Sequence, residues 1–169
     1  VAPRVAEAAM ESGSARSEID LDRYRERLEA RLGKSREMMR VVLNKAKSDP
    51  KRIALAEGTD EKMIRAAYQL SEQAIAEPVL LGDADTISQT AAELGLSFRP
   101  EVVDPDDRDV SAYGERLYEL RKRKGITKRE ANDLVKRDTN YLGSVMVEAG
   151  DVDAMLTGLT HHYPSALRP

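Results

Sequence analysis

From Lys51 onward, short apolar runs alternate with segments of helical period, and most runs are closed by Gly or Asp. Residues 52–57 (RIALAE) form the first run and stop at Gly58; residues 60–76 then place Met63, Ile64, Ala67, Leu70 and Ala74 at helical spacing. Residues 77–81 (EPVLL) form a second run before Gly82-Asp83, and residues 84–94 read as a helix closed by Gly95. A brief third strand is expected at 101–103. Helices follow over 108–124, from a capping box at Thr127–Glu130, and over 139–149, before a fourth strand at 153–157 (DAMLT) meets Gly158. Strands alternating with helices imply a parallel sheet covered on both faces. The expected class is therefore α/β, a three-layer parallel sheet.

In open sheets of this kind, ligands gather at the carboxyl ends of the strands. That rule singles out Glu57-Gly58-Thr59-Asp60, Gly82-Asp83-Ala84-Asp85 and residues 157–169. The first two loops open helices, whose free N–H groups can receive an anion. Their carboxylates would repel a phosphate, so helix capping is the plainer role for Asp60 and Asp83.

Residues 1–48 contain no convincing strand and carry a net charge of +3, against −6 for the remainder. An alanine-rich helix end is broken at Ser12-Gly13-Ser14. A second helix, capped by Asp20 or Asp22 and ended by Gly33, carries Leu21, Tyr24, Leu28 and Leu32 on one face. A third spans 35–47 and stops at Asp49-Pro50. The whole chain, near neutral at −3, is no globally basic nucleic-acid binder. With no cysteine it has neither disulfides nor thiolate metal sites, and no apolar run is long enough to span a membrane. A cytosol-type chain is expected, and Val1 in place of Met points to a piece of a longer one.

The chain has neither G-x-G-x-x-G nor G-x-x-x-x-G-K-[ST], so dinucleotide and P-loop readings lack their phosphate cradle. His161 and His162 are the only histidines. Without a third ligand they make a poor zinc pair, and they read as polar loop residues or, with a carboxylate partner, as proton-transfer groups. Residues 116–129 hold seven basic side chains, Arg121 and Lys124 among them, opposed by Glu119. The run reads either as a solvated helix end complementing the dipole or as a patch for a polyphosphate such as coenzyme A. Residues 158–169 (GLTHHYPSALRP) set Thr160, Tyr163, Ser165 and Arg168 just past a strand. There a guanidinium fork and hydroxyls can grip phosphate or carboxylate, or Arg168 can pair with a surface carboxylate.

Four blocks then resemble, in order and spacing, the first part of the phosphate acetyltransferase/butyryltransferase family: 51–67 (KRIALAEGTDEKMIRAA), 117–125 (LYELRKRKG), 143–154 (GSVMVEAGDVDA) and 163–169 (YPSALRP). Residues 1–28 are similar to the closing helix and exit linker of the cofactor domain in bacterial-type malic enzymes. Ala56 in AEG also looks like the malic-enzyme branch. The resemblance implies a junction piece of a long, multidomain, NADP-dependent type of malic enzyme. Residues 1–19 would be the tail of its cofactor domain, 20–46 a helical linker, and 47–169 the front of a phosphotransacetylase-like domain.

It implies a parent reaction, oxidative decarboxylation of malate to pyruvate with NAD(P) and a divalent metal (Mg or Mn), whose catalytic and metal-binding residues lie outside this chain. The segment itself is then non-catalytic and carries no cofactor. The implied ligand is acetyl-CoA or a related acyl-CoA, acting as an effector held by Arg168, Ser165, Thr160 and Tyr163, with Arg121 and Lys124 toward the coenzyme phosphates. Implied partners are the rest of the malic-enzyme chain and further copies of itself, with no nucleic acid or membrane, in the cytoplasm. The alternative is a catalytic phosphate acetyltransferase, converting acetyl-CoA and phosphate to acetyl phosphate and CoA. Tyr163-Pro164, in place of a Thr-rich stretch, departs from that activity.

Overall fold

The computed structural model describes residues 2–17, 19–160 and 163–166, apart from the side chains of residues 2, 25–32, 34, 163 and 165. The chain divides into two compact units, Val1–Lys45 and Ala46–Pro169. In the first, α1 (Ala2–Glu11) ends where the N–H groups of Ser14 and Ala15 both reach the Ala9 carbonyl. The next helix, α2 (Leu21–Ser48), is opened by Asp20, whose carboxylate accepts from the N–H groups of Asp22 and Arg23 at 3.0 and 3.1 Å. It runs unbroken through Gly33, where the sequence pattern predicts a break between two helices. Gly33 does not adopt the left-handed conformation that ends a helix, and a glycine inside a helix costs only about 1 kcal/mol relative to alanine.

The second unit holds the sheet. Its strands are β1 (Lys51–Leu55), β2 (Ala76–Leu81), β3 (Glu101–Val103) and β4 (Ala154–Leu156), all parallel, in the order β3-β2-β1-β4. Between β1 and β2 runs α3 (Glu61–Glu72), and between β2 and β3 runs α4 (Ala84–Glu93). Asp60 caps α3 through the N–H of Lys62, and Asp83 caps α4 through the N–H of Thr86 at 2.6 Å. Hydrogen bonds from Thr86, led by its hydroxyl, hold the Asp83 carboxyl below its ordinary range. The expected continuation of α3 to residue 76 fails at Ala74, which takes a left-handed φ of 51° and turns the chain into β2.

After β3 come α5 (Ser111–Arg121), a 3-10 turn at Lys122–Lys124, α6 (Lys128–Arg137) and α7 (Thr139–Ala149). The capping box at Thr127 and Glu130 is formed in both directions. α5 starts three residues later than the periodicity predicts, because the Asp109 carboxylate accepts the Ser111 N–H and sets the first turn there.

Residues alternate between two cores, as a strand buried on both faces requires. Ala54, Val79, Leu81 and Val103 pack with Leu117, Val135, Leu142 and Met146 of α5–α7. Leu55 and Leu80 point the other way, against Met63, Ile64 and Ala67 of α3 and Ile87 and Ala91 of α4. At the amino edge, Arg52 draws three strands together. Its guanidinium donates to Glu101 at 3.1 Å and to the Asp151 carbonyl at 3.0 Å, and its N–H donates to Asp153 at 2.8 Å. At the carboxyl edge, Gly58 passes against β2: its N–H donates to the Leu81 carbonyl, and a Cβ there would stand 2.6 Å from that oxygen and 2.8 Å from the Leu81 nitrogen.

Gly58→Ala therefore shifts backbone against backbone. We expect a loss of about 1–3 kcal/mol, read as a lower denaturation midpoint at unchanged slope. A second expectation concerns alkaline pH. Tyr113 donates its O–H to Asp151 at 2.8 Å, and burial, then that bond, raises its pKa. A raised folded value contributes stability that is present below the free-phenol value of about 10 and lost as pH rises through the folded value. Tyr113→Phe should flatten the stability profile between the free-phenol value and the higher folded one; an unchanged alkaline slope there would contradict the assignment.

Candidate functional site

The strand order sets where a ligand site can form. β1, β2 and β3 step outward in one direction, and the chain then returns to place β4 on the other side of β1. The reversal lies between β1 and β4, and a crevice opens outside their carboxyl ends. Two pieces of chain nearly a hundred residues apart meet there: residues 56–60 after β1 and residues 157–160 after β4.

Glu57 joins them. It is buried, 8% exposed, and its carboxylate accepts from the N–H of Leu159 at 2.7 Å, the N–H of Thr160 at 2.9 Å and the Thr160 hydroxyl at 2.9 Å. The strand pairing leads into this contact, since the Ala56 N–H donates to the Leu156 carbonyl at 3.0 Å and Gly158 then turns the chain at φ 94°. Around the carboxylate lies an open cleft of about 380 Å³, lined by Ala56, Glu57, Thr59, Asp60, Leu81, Gly82, Thr139 and Thr160. Its wall includes the start of α7, where the Asp138 carboxylate accepts the Asn140 N–H at 2.9 Å. Behind it, Asn140 is 1% exposed and its side-chain oxygen accepts the Thr157 hydroxyl, while its amide nitrogen has no partner among the described residues.

The sequence-derived candidates fall in different places. Thr160 is in the cleft wall, its hydroxyl and N–H directed at Glu57. Tyr163 and Ser165 stand on a helical turn, Tyr163–Ala166, directly after this loop, and their side chains lie outside the described residues. Arg168, His161 and His162 also lie outside the described residues.

Arg121 and Lys124 sit at the turn between α5 and α6 rather than in the cleft wall. Much of the basic run is engaged within the helical layer. Arg116 pairs with Glu148, Lys122 with Glu119, and Arg129 approaches Asp133 at 4.0 Å. The Lys128 ammonium lies 5.5 Å from the Tyr118 ring centre. Glu57 opens one of the loops that the strand-end rule singles out, but the sequence assigns it no binding role of its own. Its signal is a carboxylate at the very end of a buried apolar run, where a charge must find donors or stay in water.

Removing the Thr157 hydroxyl leaves the Asn140 side chain without a hydrogen-bond partner among the described residues. Thr157→Val should cost about 1–3 kcal/mol in urea unfolding, and Thr157→Val with Asn140→Leu should cost less than the sum of the two single changes. Full additivity would mean that the pair does not interact.

Comparison with known proteins places this geometry. The family model described as Phosphate acetyl/butaryl transferase matches residues 37–169. An NADP-dependent malic enzyme of Salmonella typhimurium is 32% identical over 169 residues, covering 96% of this chain and 22% of its own length. A phosphate acetyltransferase of Thermoanaerobacterium thermosaccharolyticum is 39% identical over 129 residues, covering 76% of this chain and 39% of its own. The crystal structure of a phosphotransacetylase from Streptococcus pyogenes superposes with a TM-score of 0.74 at 28% identity, over 79% of this chain and 41% of that one. The chain thus spans less than a quarter of the malic enzyme it matches.

Proposed function

The chain belongs to the Phosphate acetyl/butaryl transferase family, and we propose that it serves as the acetyl-CoA-sensing, non-catalytic segment of a malic enzyme. The reach of the matches carries this reading. The malic-enzyme alignment covers 96% of the chain and so extends well ahead of residue 37, where the family match begins; the acetyltransferase alignment covers 76%. The parent reaction would be oxidative decarboxylation of malate to pyruvate with NAD(P) and Mg or Mn, performed by residues elsewhere in the longer protein. Among the described residues, no three His, Cys, Asp or Glu side chains form a metal-ligating group.

Acetyl-CoA or a related acyl-CoA is the effector. Thr160 lies in the wall of the switch-point cleft, and Tyr163, Ser165 and Arg168 follow it in the sequence. This placement supports a site for the phosphate or thioester end. Arg121 and Lys124 are the second-rank candidates, for the coenzyme phosphates. For regulation, the ligand must bind two states of the parent with different affinity. Self-association is also proposed, supported by the exposed apolar side chains Met38, Met39, Val41 and Val42 on α2. A cytoplasmic location belongs to the same proposal; separately, no described helix is long and apolar enough to cross a membrane.

The second reading, phosphate acetyltransferase activity, is favoured by the 39% identity to such an enzyme. Calorimetric titration of acetyl-CoA into the full protein, alongside malate turnover, separates the readings. The regulatory reading expects binding heat and altered turnover, and Arg168→Ala should weaken the response about tenfold or more. Acetyl phosphate formation would favour the transferase. No heat and no change in turnover would leave an oligomerisation scaffold alone.

A further inference from the structure

The sheet ends on two strands of different character. We infer that β4 is not an edge in the longer protein: a further parallel strand, supplied by a part of that protein outside residues 1–169, pairs with its outer side. This rests on reading the chain as part of a longer protein, and not on which ligand the cleft takes.

β3 carries the marks of a finished edge. Pro100 stands directly ahead of it, and its first residue, Glu101, is exposed and held by Arg52; a proline and a charge both discourage further pairing. β4 has neither. Its residues are Ala154, Met155 and Leu156, and the neighbouring Asp153 carboxylate is turned back to the Arg52 N–H on β1. The Leu156 carbonyl accepts the Ala56 N–H. The N–H and C=O of one strand residue point to the same side, and the side alternates along the strand. Leu156 therefore faces β1, and Met155 presents both groups outward, where the sheet has no strand.

Side-chain burial agrees. Leu55 and Leu156 are paired in register and share a face, yet Leu55 is 0% exposed and Leu156 50%. Leu55 has Leu80 of β2 in register on its other flank, under α3 and α4, whereas Leu156 lacks an outer flank. On the opposite face α7 lies close over β4, since a Cβ on Gly143 would stand 2.5 Å from the Met155 sulfur. One turn further along the same side of α7, Val147 is 36% exposed. The hand of parallel connections links these two uncovered side chains. The steps from β1 to β2 and β3 run one way, across α3 and α4; the step back past β1 to β4 runs the other way, across α5 to α7. Right-handed connections change face when they change direction, so an outward step from β4 keeps to the α5–α7 face. The added strand thus flanks Leu156, and the helix that leads to it covers Val147.

All three existing strand pairs are parallel. The chain covers 41% of the phosphotransacetylase on which it superposes, so more than half of that protein has no counterpart in these residues. A strand with its crossover needs only about a dozen residues or more. A second copy is the poorer occupant: a two-fold axis would pair β4 with itself antiparallel, over three residues, and bring no helix to Val147.

Hydrogen exchange of the full protein, resolved to single amides, tests this. The Met155 N–H should exchange about a hundredfold more slowly than an unpaired edge amide, at a rate unchanged by dilution. Fast exchange at Met155, with the inward Leu156 N–H protected, overturns the inference. So does protection that is lost on dilution, which would give the edge to a second copy. Leu156→Asp sets a charge against the added strand and should lower the melting temperature of the full protein by about 5 °C or more. An unchanged melting temperature contradicts the inference. None of these results bears on acetyl-CoA binding, so the inference and the regulatory reading fail separately.

Discussion

The second unit depends throughout on β1 being an interior strand, with β2 on one side and β4 on the other. Its five residues pair with β2 along their whole length and with β4 from Ile53 to Leu55, so Ala54 and Leu55 are each fully buried, facing opposite cores. Past its charged amino end at Lys51 and Arg52, a strand in that position carries apolar side chains, and it delivers the next residues of the chain to the middle of the carboxyl edge. Those residues are Ala56-Glu57-Gly58, and each answers a local demand. Ala56 continues the ladder, Glu57 takes the donors of the loop after β4, and Gly58 fits a space where no Cβ would fit.

The same constraint explains the location of the cleft. With β4 returned to the far side of β1, the loops after the two strands border one crevice, and Glu57 joins them. The burial of Glu57 is a consequence of this arrangement. Its carboxylate is removed from water by the walls of the crevice and, among the described residues, accepts three hydrogen bonds from the loop after β4. The helical layer built by α5, α6 and α7 settles its charges internally, as the Arg116–Glu148 and Lys122–Glu119 pairs illustrate. The basic run thereby accounts for itself largely as part of that layer.

Much of the fold is legible in the sequence because its determinants are local. Thr139 to Ala149 is bounded by Asp138 and a left-handed Gly150, and the Thr127–Glu130 box forms as its spacing predicts. Asp60 and Asp83 cap their helices for the same short-range reason. Gly33 misleads because glycine marks a helix end only where the backbone turns left-handed, a property that composition does not reveal; Ala74, which does turn, carries no such mark. The strand order is illegible, since alternation implies parallel pairing without saying which strand lies beside which. What Glu57 bonds to is hidden for that reason, although the strand-end rule singles out its loop. Its partners are more than a hundred residues away in sequence, and only the β1–β4 adjacency brings them within reach.

The central claim is that the crevice between β1 and β4 is where the acyl-CoA ligand acts. Hydrogen exchange of the full protein with and without acetyl-CoA tests it most directly. Slowed exchange is expected in the segment that begins at residue 157, with the amino-edge amides around Arg52 and Asp153 unchanged. Protection confined to residues 121–129, or absent throughout this chain at saturating ligand, would contradict the claim.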